Sequence, residues 1–397
     1  MQIGINAQLL AFGQNYRNSG VSRYIRYLLR ELIRQPGNHE YTVFVNGPEV
    51  IAHLETHPQI TYISAPWPAS RPAVRIAWEQ FTLPSLIRQK RIEVLHSPVN
   101  VLPEWLPSSC ATVVTLHDLA FLRFPHVLTP AKRMYHRTFT IRSLRHATMI
   151  ITVSDSTKHD AHELVKIPLD RIQTIYPCID KRFSNVFEEE KIEAFREQQK
   201  LSEGYLLYLG TLEPRKNVTT LIDAYAHVRQ KYGRREKLVL AGAKGWLYDT
   251  IFERVRQLGL EAEVIFPGFV ADAEQALWYH GASAFVYPSL YEGFGLPVAE
   301  AVACGIPTVT SNVSSLPEAG AHIALCVDPH NASAVSEALY QALTDQAYRE
   351  QCRVMASSVA QQFSASTMVE QTIATYEKAA RLHASQQSSH HRISIVP

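Results

Sequence analysis

At 397 residues, 46% apolar and 19% charged, the chain has the composition of a soluble globular protein and the length of two ordinary domains. Its net charge of +2 gives no reason to expect a nucleic-acid partner, and no apolar run approaches the ~18 residues of a spanning helix. Five scattered cysteines without a C-x-x-C pair argue against a disulfide framework or a zinc site and fit a reducing cytoplasm.

The chain opens on Met1-Gln-Ile-Gly-Ile-Asn-Ala, which reads as a strand over 2–6 and not as a leader with a charged and then an apolar region. A polar loop over 13–20 with a glycine at each end leads into a helix over 21–34. Strands follow at 41–46, 60–63 and 94–96. Ala111-Thr-Val-Val-Thr-Leu116 is a buried strand that ends in His117-Asp118. Residues 129–146 read as helical, then comes a strand over 149–153 and a helix that Ser154 or Asp155 would cap. A strand over 172–176 and Pro177 close the first half. A charged helix over 188–200 introduces the second, in which strands at 205–209, 238–241, 264–266, 284–287, 308–310 and 324–327 alternate with helices. A helix over about 365–381 follows, and the low-complexity tail 385–397 is expected to be disordered. Strands separated by helices of 10–15 residues imply parallel, right-handed βαβ units. The expected fold is therefore α/β, with two Rossmann-like, doubly wound domains facing each other. Their bounds are 1–180 and 181–364, with a helix over 365–384. The first 180 residues carry a charge of +6 and the rest −4.

Glu292-Gly-Phe-Gly-Leu-Pro-Val-Ala-Glu300 carries the most chemistry. It puts one carboxylate on a loop at a strand's C-terminal end and another in the first turn of a helix marked by Pro297. In open α/β sheets that crevice binds ligands, the helix start suits an anion such as a diphosphate, and carboxylates accept hydrogen bonds from sugar hydroxyls. Leu209-Gly-Thr-Leu-Glu-Pro-Arg-Lys-Asn217 places Arg215 and Lys216 at another strand's C-terminal edge, where a guanidinium fork and an ammonium suit phosphate oxygens. His117 stands at the end of a buried strand in the first half. Each feature alone has an ordinary structural explanation: a solvated loop glutamate, a helix-capping glutamate, an exposed basic pair, a hydrogen-bonding core histidine.

Together with Ala241-Gly, Gly268-Phe-Val, Tyr287-Pro-Ser-Leu-Tyr-Glu, Cys304-Gly-Ile-Pro and Ser314-Ser-Leu-Pro-Glu, these residues resemble the retaining GT-B glycosyltransferases of family 4. The resemblance is nearest the bacterial mannosyltransferase branch that builds surface polysaccharides. It covers residues 1 to about 380 and is more specific in the second half. It implies two Rossmann-like domains across a cleft, with the C-terminal helix crossing back to the first. It also implies a nucleotide-diphosphate sugar donor, most naturally GDP-mannose, and a glycan or polyprenol-diphosphate-linked acceptor. By position, Arg215 and Lys216 would neutralise the diphosphate, and the backbone around Phe294, Gly295 and Leu296 would hold phosphate and sugar. Glu300 would take the ribose hydroxyls, Glu292 would face the transferred sugar and His117 would line the sugar site from the other domain. Gly20, Gly268 and Val270 complete the expected donor contacts. No metal or other cofactor is expected, since the chain has no Asp-x-Asp pair.

The first domain departs from the family at Asn6 and Gln8, where relatives often carry an aspartate and a basic residue. Between Leu119 and Ser154 there is no acidic residue, while Arg123, Lys132, Arg133, Arg137, Arg142 and Arg145 supply six positive charges. That face is expected to meet anionic lipid headgroups or the acceptor's pyrophosphate, which would place a cytoplasmic protein at the inner face of the plasma membrane. Donors with another base, a nucleotide-sugar epimerase of the same architecture, and a non-catalytic subunit stay open as alternatives.

Overall fold

Runs such as Tyr205-Leu-Leu-Tyr-Leu209 and Ala111-Thr-Val-Val-Thr-Leu116 form strands because aromatic and branched side chains fit a pleated surface buried on both faces. The computed structural model describes residues 1–12, 20–65, 72–124, 130–185 and 187–393, and the side chains among them except those of 130–132 and 389–393. The chain divides into two units, Met1–Cys178 with Ala365–Pro397, and Ile179–Ser364.

The first unit holds a seven-stranded parallel sheet in the order β3-β2-β1-β4-β5-β6-β7. Its strands are β1 (Gln2–Ala7), β2 (Glu40–Val45), β3 (Ile60–Ser64), β4 (Val94–Ser97), β5 (Ala111–Leu116), β6 (Met149–Thr152) and β7 (Ile172–Thr174). Strand order reverses between β1 and β4, which pair with Ile3 opposite Val94. Alternate side chains feed two cores. Ile3, Ile5, Val43 and Val113 pack with Leu28 and Leu32 of the first helix, Gly20–Arg34, on one face. Phe44, Leu95, Val114 and Ile150 pack with Trp78 and Leu144 on the other.

The last helix belongs to this unit and packs on the first helix and on β4, β5 and β6. It runs Ala365–Ile393, so the tail expected to lose order at Ser385 continues as helix. The reason is local. Gln387 donates to the Ser108 carbonyl at 2.5 Å, His383 Nε2 lies 2.7 Å from the same oxygen, and the Ser385 and Ser388 hydroxyls bond back one turn. The helical stretch expected over 129–146 is Pro130–Tyr135, a wide turn His136–Thr140 and Ile141–His146.

The second unit holds a six-stranded parallel sheet in the order β10-β9-β8-β11-β12-β13. Its strands are β8 (Tyr205–Leu209), β9 (Lys237–Ala241), β10 (Val264–Gly268), β11 (Ala284–Tyr287), β12 (Thr308–Ser311) and β13 (Leu325–Val327). Order reverses between β8 and β11, where Ala284 pairs with Leu206. Each sheet is thus doubly wound, with a switch point at the C-terminal ends of its strands.

Candidate functional site

The loops after β8 and β11 meet at the second unit's switch point. Beyond β8 the chain passes Gly210 and closes a single 3-10 turn, Pro214–Lys216. The neighbouring loop after β9 lies against it: Gly242 has a φ of +145°, and a Cβ there would sit 1.9 Å from the Gly210 carbonyl oxygen. Only glycine allows that approach. The β11 loop is held to the β8 loop by the Leu290 N–H, which donates to the Arg215 carbonyl at 2.9 Å.

This docking joins three of the expected site residues. Lys216 Nζ lies 2.5 Å from Glu292 Oε1 and 2.8 Å from the Tyr287 hydroxyl. Arg215 donates from Nη1 to the Tyr291 carbonyl at 2.7 Å and lies 3.3 Å from Glu292 Oε2, while its Nε and Nη2 reach Glu213 Oε1. Ser289 donates to Glu292 Oε1 at 2.7 Å. Ser314 and Ser315 both donate to the Glu292 backbone carbonyl, and Ser315 also reaches that of Phe294. Lys216, Glu213 and Glu292 are buried. Burial raises the Glu292 carboxyl, but the Lys216 and Arg215 cations outweigh it and hold it at about 2. Burial lowers the Lys216 ammonium, with Glu292 opposing. Glu213, Arg215, Lys216 and Glu292 sum to zero charge. An ammonium has three N–H groups, so two on Glu292 and Tyr287 leave one for a ligand. The loop is a pair of preorganised cations, fixed by carboxylates behind them.

The adjoining helix Leu296–Ala303 follows Gly295, whose φ of +105° favours glycine and where a Cβ would sit 2.8 Å from Leu316 Cδ2. The amides of Gly295 and Leu296 stand at a helix start, where no internal acceptor reaches. Glu300 occupies the fifth helical position, not the first turn as expected, because the helix begins at Leu296. It is buried, and Oε2 accepts from the Tyr279 hydroxyl at 3.0 Å. Phe294 is buried with its ring edge-on to Phe363. Gly268 ends β10 with a φ of +80°, its carbonyl accepting from the Gly242 N–H, and Val270 follows, buried.

His117 lies in the first unit, at the C-terminal end of β5. Its ring nitrogen Nε2 is 2.9 Å from the Pro98 carbonyl, its backbone N–H donates to Asn100 Oδ1, and Tyr24 meets the ring edge-on at 5.2 Å. A carbonyl only accepts, so Nε2 carries the proton and Nδ1 offers the lone pair of the neutral ring. Burial lowers its pKa, which favours that neutral form. Gly20 opens the first helix with free space around it, and the rest of the expected 13–20 loop lies outside the described residues.

Asn6 near the end of β1 and Gln8 just beyond it are buried polar residues. Asn6 Nδ2 donates to Glu79 Oε1 at 3.1 Å, and Glu79 pairs with Arg75 at 2.7 Å. Among the described residues, both side-chain polar atoms of Gln8 are buried without a partner. Glu79 and Arg75 went unread as site residues, although their i,i+4 spacing was visible. Tyr287 and Ser289 were visible only as parts of a motif. Of the six basic residues expected on one face, Arg123 is bonded to Asp160 and Arg142 to Glu104, while the Lys132 side chain lies outside the described residues. Among the described residues, no helix is long and apolar enough to cross a membrane.

The sequence matches the family described as "Glycosyl transferases group 1" over residues 189–358 and "Glycosyltransferase Family 4" over residues 18–183. It is 34% identical to the O-antigen chain mannosyltransferase B of Escherichia coli over 291 residues, 73% of this chain and 76% of that one. It is 30% identical to the serotype-specific mannosyltransferase WbdA of Escherichia coli over 64% of this chain but only 32% of that much longer protein. The fold is similar to Anabaena Alr3699/HepE, solved with UDP and glucose, at a TM-score of 0.69 and 16% identity over 95% of this chain and all of that one.

Proposed function

The chain belongs to glycosyltransferase family 4 and is a glycosyltransferase, and from that premise we propose that it transfers α-mannose from GDP-mannose to a growing surface polysaccharide. The acceptor in this reading is a glycan or a polyprenol-diphosphate-linked saccharide of O-antigen type. Both relatives named above carry the name mannosyltransferase, the first of them for the O-antigen chain. The observation that carries the reading is the Arg215–Lys216 pair held by Glu292 beside a helix start at the switch point of the second sheet.

In this mechanism the donor's diphosphate lies against the Lys216 ammonium, the Arg215 guanidinium and the amides at Gly295 and Leu296. As the glycosidic bond breaks, the leaving GDP gains negative charge, and fixed cations stabilise it more in the transition state than in the ground state. These groups do the work of a metal, so transfer proceeds in EDTA. Glu292 positions both cations and keeps a lone pair on Oε2 for a sugar hydroxyl. His117 Nδ1 accepts from the sugar, and Glu300 takes the ribose. The leaving phosphate oxygen removes the acceptor's proton on the same face that the acceptor attacks, so configuration is retained without a glycosyl-enzyme.

Thermal shifts with GDP-mannose, UDP-glucose, UDP-GlcNAc and dTDP-rhamnose identify the donor, because a ligand that binds the folded state raises its stability. The largest shift is expected with GDP-mannose, followed by GDP release that requires a glycan acceptor and an α-linked product. A β-linked product, a covalent adduct on Glu292 or His117, or GDP release with no acceptor present would each overturn the proposal.

A further inference from the structure

At the opposite end of the first unit's sheet from His117 lies a cavity of about 450 Å³. It opens where β5, β6 and β7 begin: Cys110 and Thr112, Ala147 and Thr148, and Arg171 all line it. The six residues of β5, about 20 Å at ~3.3 Å each, separate it from His117.

The lining is strongly basic. Arg142, Arg145, His146, Arg171 and His383 face Glu104 as the single carboxylate among the lining residues. Ordinary roles account for part of this. Arg171 donates from Nη2 to the carbonyls of Leu144, Arg145 and Ala147, closing the C-terminus of the Ile141–His146 helix. Arg142 pairs with Glu104 at 2.8 Å. Arg145 has no such role: it is exposed, and among the described residues its guanidinium pairs with nothing. With the Arg142–Glu104 pair set aside, the Arg145 and Arg171 guanidiniums stand beside two imidazoles, and Asp170, which interacts with Arg171, lies outside the lining. Leucines and prolines of the 102–107 segment form an apolar wall. Between them Trp105, 61% exposed, stacks on Phe81, 66% exposed, at 5.3 Å. Its one thiol, Cys110, is buried and pushed up to about 12, so it stays protonated and offers no charge to a ligand.

We propose that this cavity binds the phosphate of a phosphomonoester or phosphodiester, with Arg145 and Arg171 as charged contacts and the 102–107 segment against the ligand's apolar or sugar part. Guanidinium forks match phosphate oxygens, and the volume suits a small phosphorylated molecule or a lipid headgroup. Exposed stacked aromatics beside a basic cavity suit the second source. A ligand there would join His383 of the last helix to the strand edge. It would touch none of the donor residues of the second unit, so the site stands or falls independently of the proposed transfer reaction.

The test is titration calorimetry with inorganic phosphate and glycerol 3-phosphate, plus co-sedimentation with phosphatidylcholine vesicles with and without phosphatidylglycerol. Wild type, Arg145→Glu, Arg145→Gln and Arg133→Glu are compared at constant ionic strength; Arg133 is exposed on the same basic segment but outside the cavity. Binding of glycerol 3-phosphate supports a soluble phosphoester, and binding only of phosphatidylglycerol vesicles supports a headgroup. In either case Arg145→Glu should weaken binding about tenfold or more, Arg145→Gln less, and Arg133→Glu under about threefold. Binding of no probe by the wild type, or equal losses from Arg145→Glu and Arg133→Glu, would overturn the proposal, because equal losses mean diffuse surface charge.

Discussion

The two sheets end alike and are furnished oppositely. At the switch point of the second unit, four charged side chains satisfy one another and the loops that carry them. At the corresponding edge of the first unit, a half-buried neutral histidine stands at the end of β5, and just beyond β1 a buried glutamine has both polar atoms unpaired among the described residues. A closed network keeps its geometry before a ligand arrives, whereas an orphaned amide costs about 1–3 kcal/mol until something bonds it. The contrast suits a rigid receptor for one obligatory group, a diphosphate, in the second unit. It suits a surface completed by its ligand in the first.

The largest effect should come from Glu292→Gln, which keeps the volume and removes the charge behind both cations. The folded carboxyl is held at about 2, below its ordinary 4.5. Its ionisation therefore contributes stability that is full above about pH 4.5 and is lost as the pH falls toward 2. The variant should lose on the order of 3 kcal/mol at pH 7 and show a flatter acid limb in urea unfolding. An unchanged acid limb would mean that the network is not closed. Lys216→Ala comes next, with kcat/KM expected to fall more than about tenfold, or ~1.4 kcal/mol. A smaller loss would separate the loop from the diphosphate.

How far this contrast was readable in the sequence depends on distance along the chain. Strand alternation, the glycine turns and the Pro297 helix start are local, and the thirteen strands among the described residues fall within a few residues of where the pattern puts them. The Glu292–Lys216 contact spans 76 residues and Asn6–Glu79 spans 73, so no periodicity reveals either. By resemblance alone Glu292 is expected to face the transferred sugar; the fold adds its grip on Lys216 and Arg215. The tail looked disordered by composition because its anchor, Ser108, is 279 residues from Gln387.

On the first unit, His117→Ala should lower kcat/KM about tenfold while leaving GDP affinity within about twofold, measured calorimetrically. A matching loss of GDP affinity would assign His117 to the nucleotide. Gln8→Met gives the smallest expected change. Replacing an unpaired buried amide by an apolar chain of similar size should raise stability by about 1 kcal/mol and raise the acceptor KM at constant donor KM. A drop in stability would show that the amide is already satisfied, and the contrast between the two sheet edges would fail.

The central claim is that the Arg215–Lys216 edge takes the nucleoside diphosphate without a metal. The direct measurement is calorimetric titration of GDP into wild-type protein and Lys216→Ala, both in EDTA. Binding by the wild type that weakens at least about tenfold in the variant is the predicted result. Equal affinity in the two proteins, or wild-type binding that appears only when Mg²⁺ is restored, would contradict it.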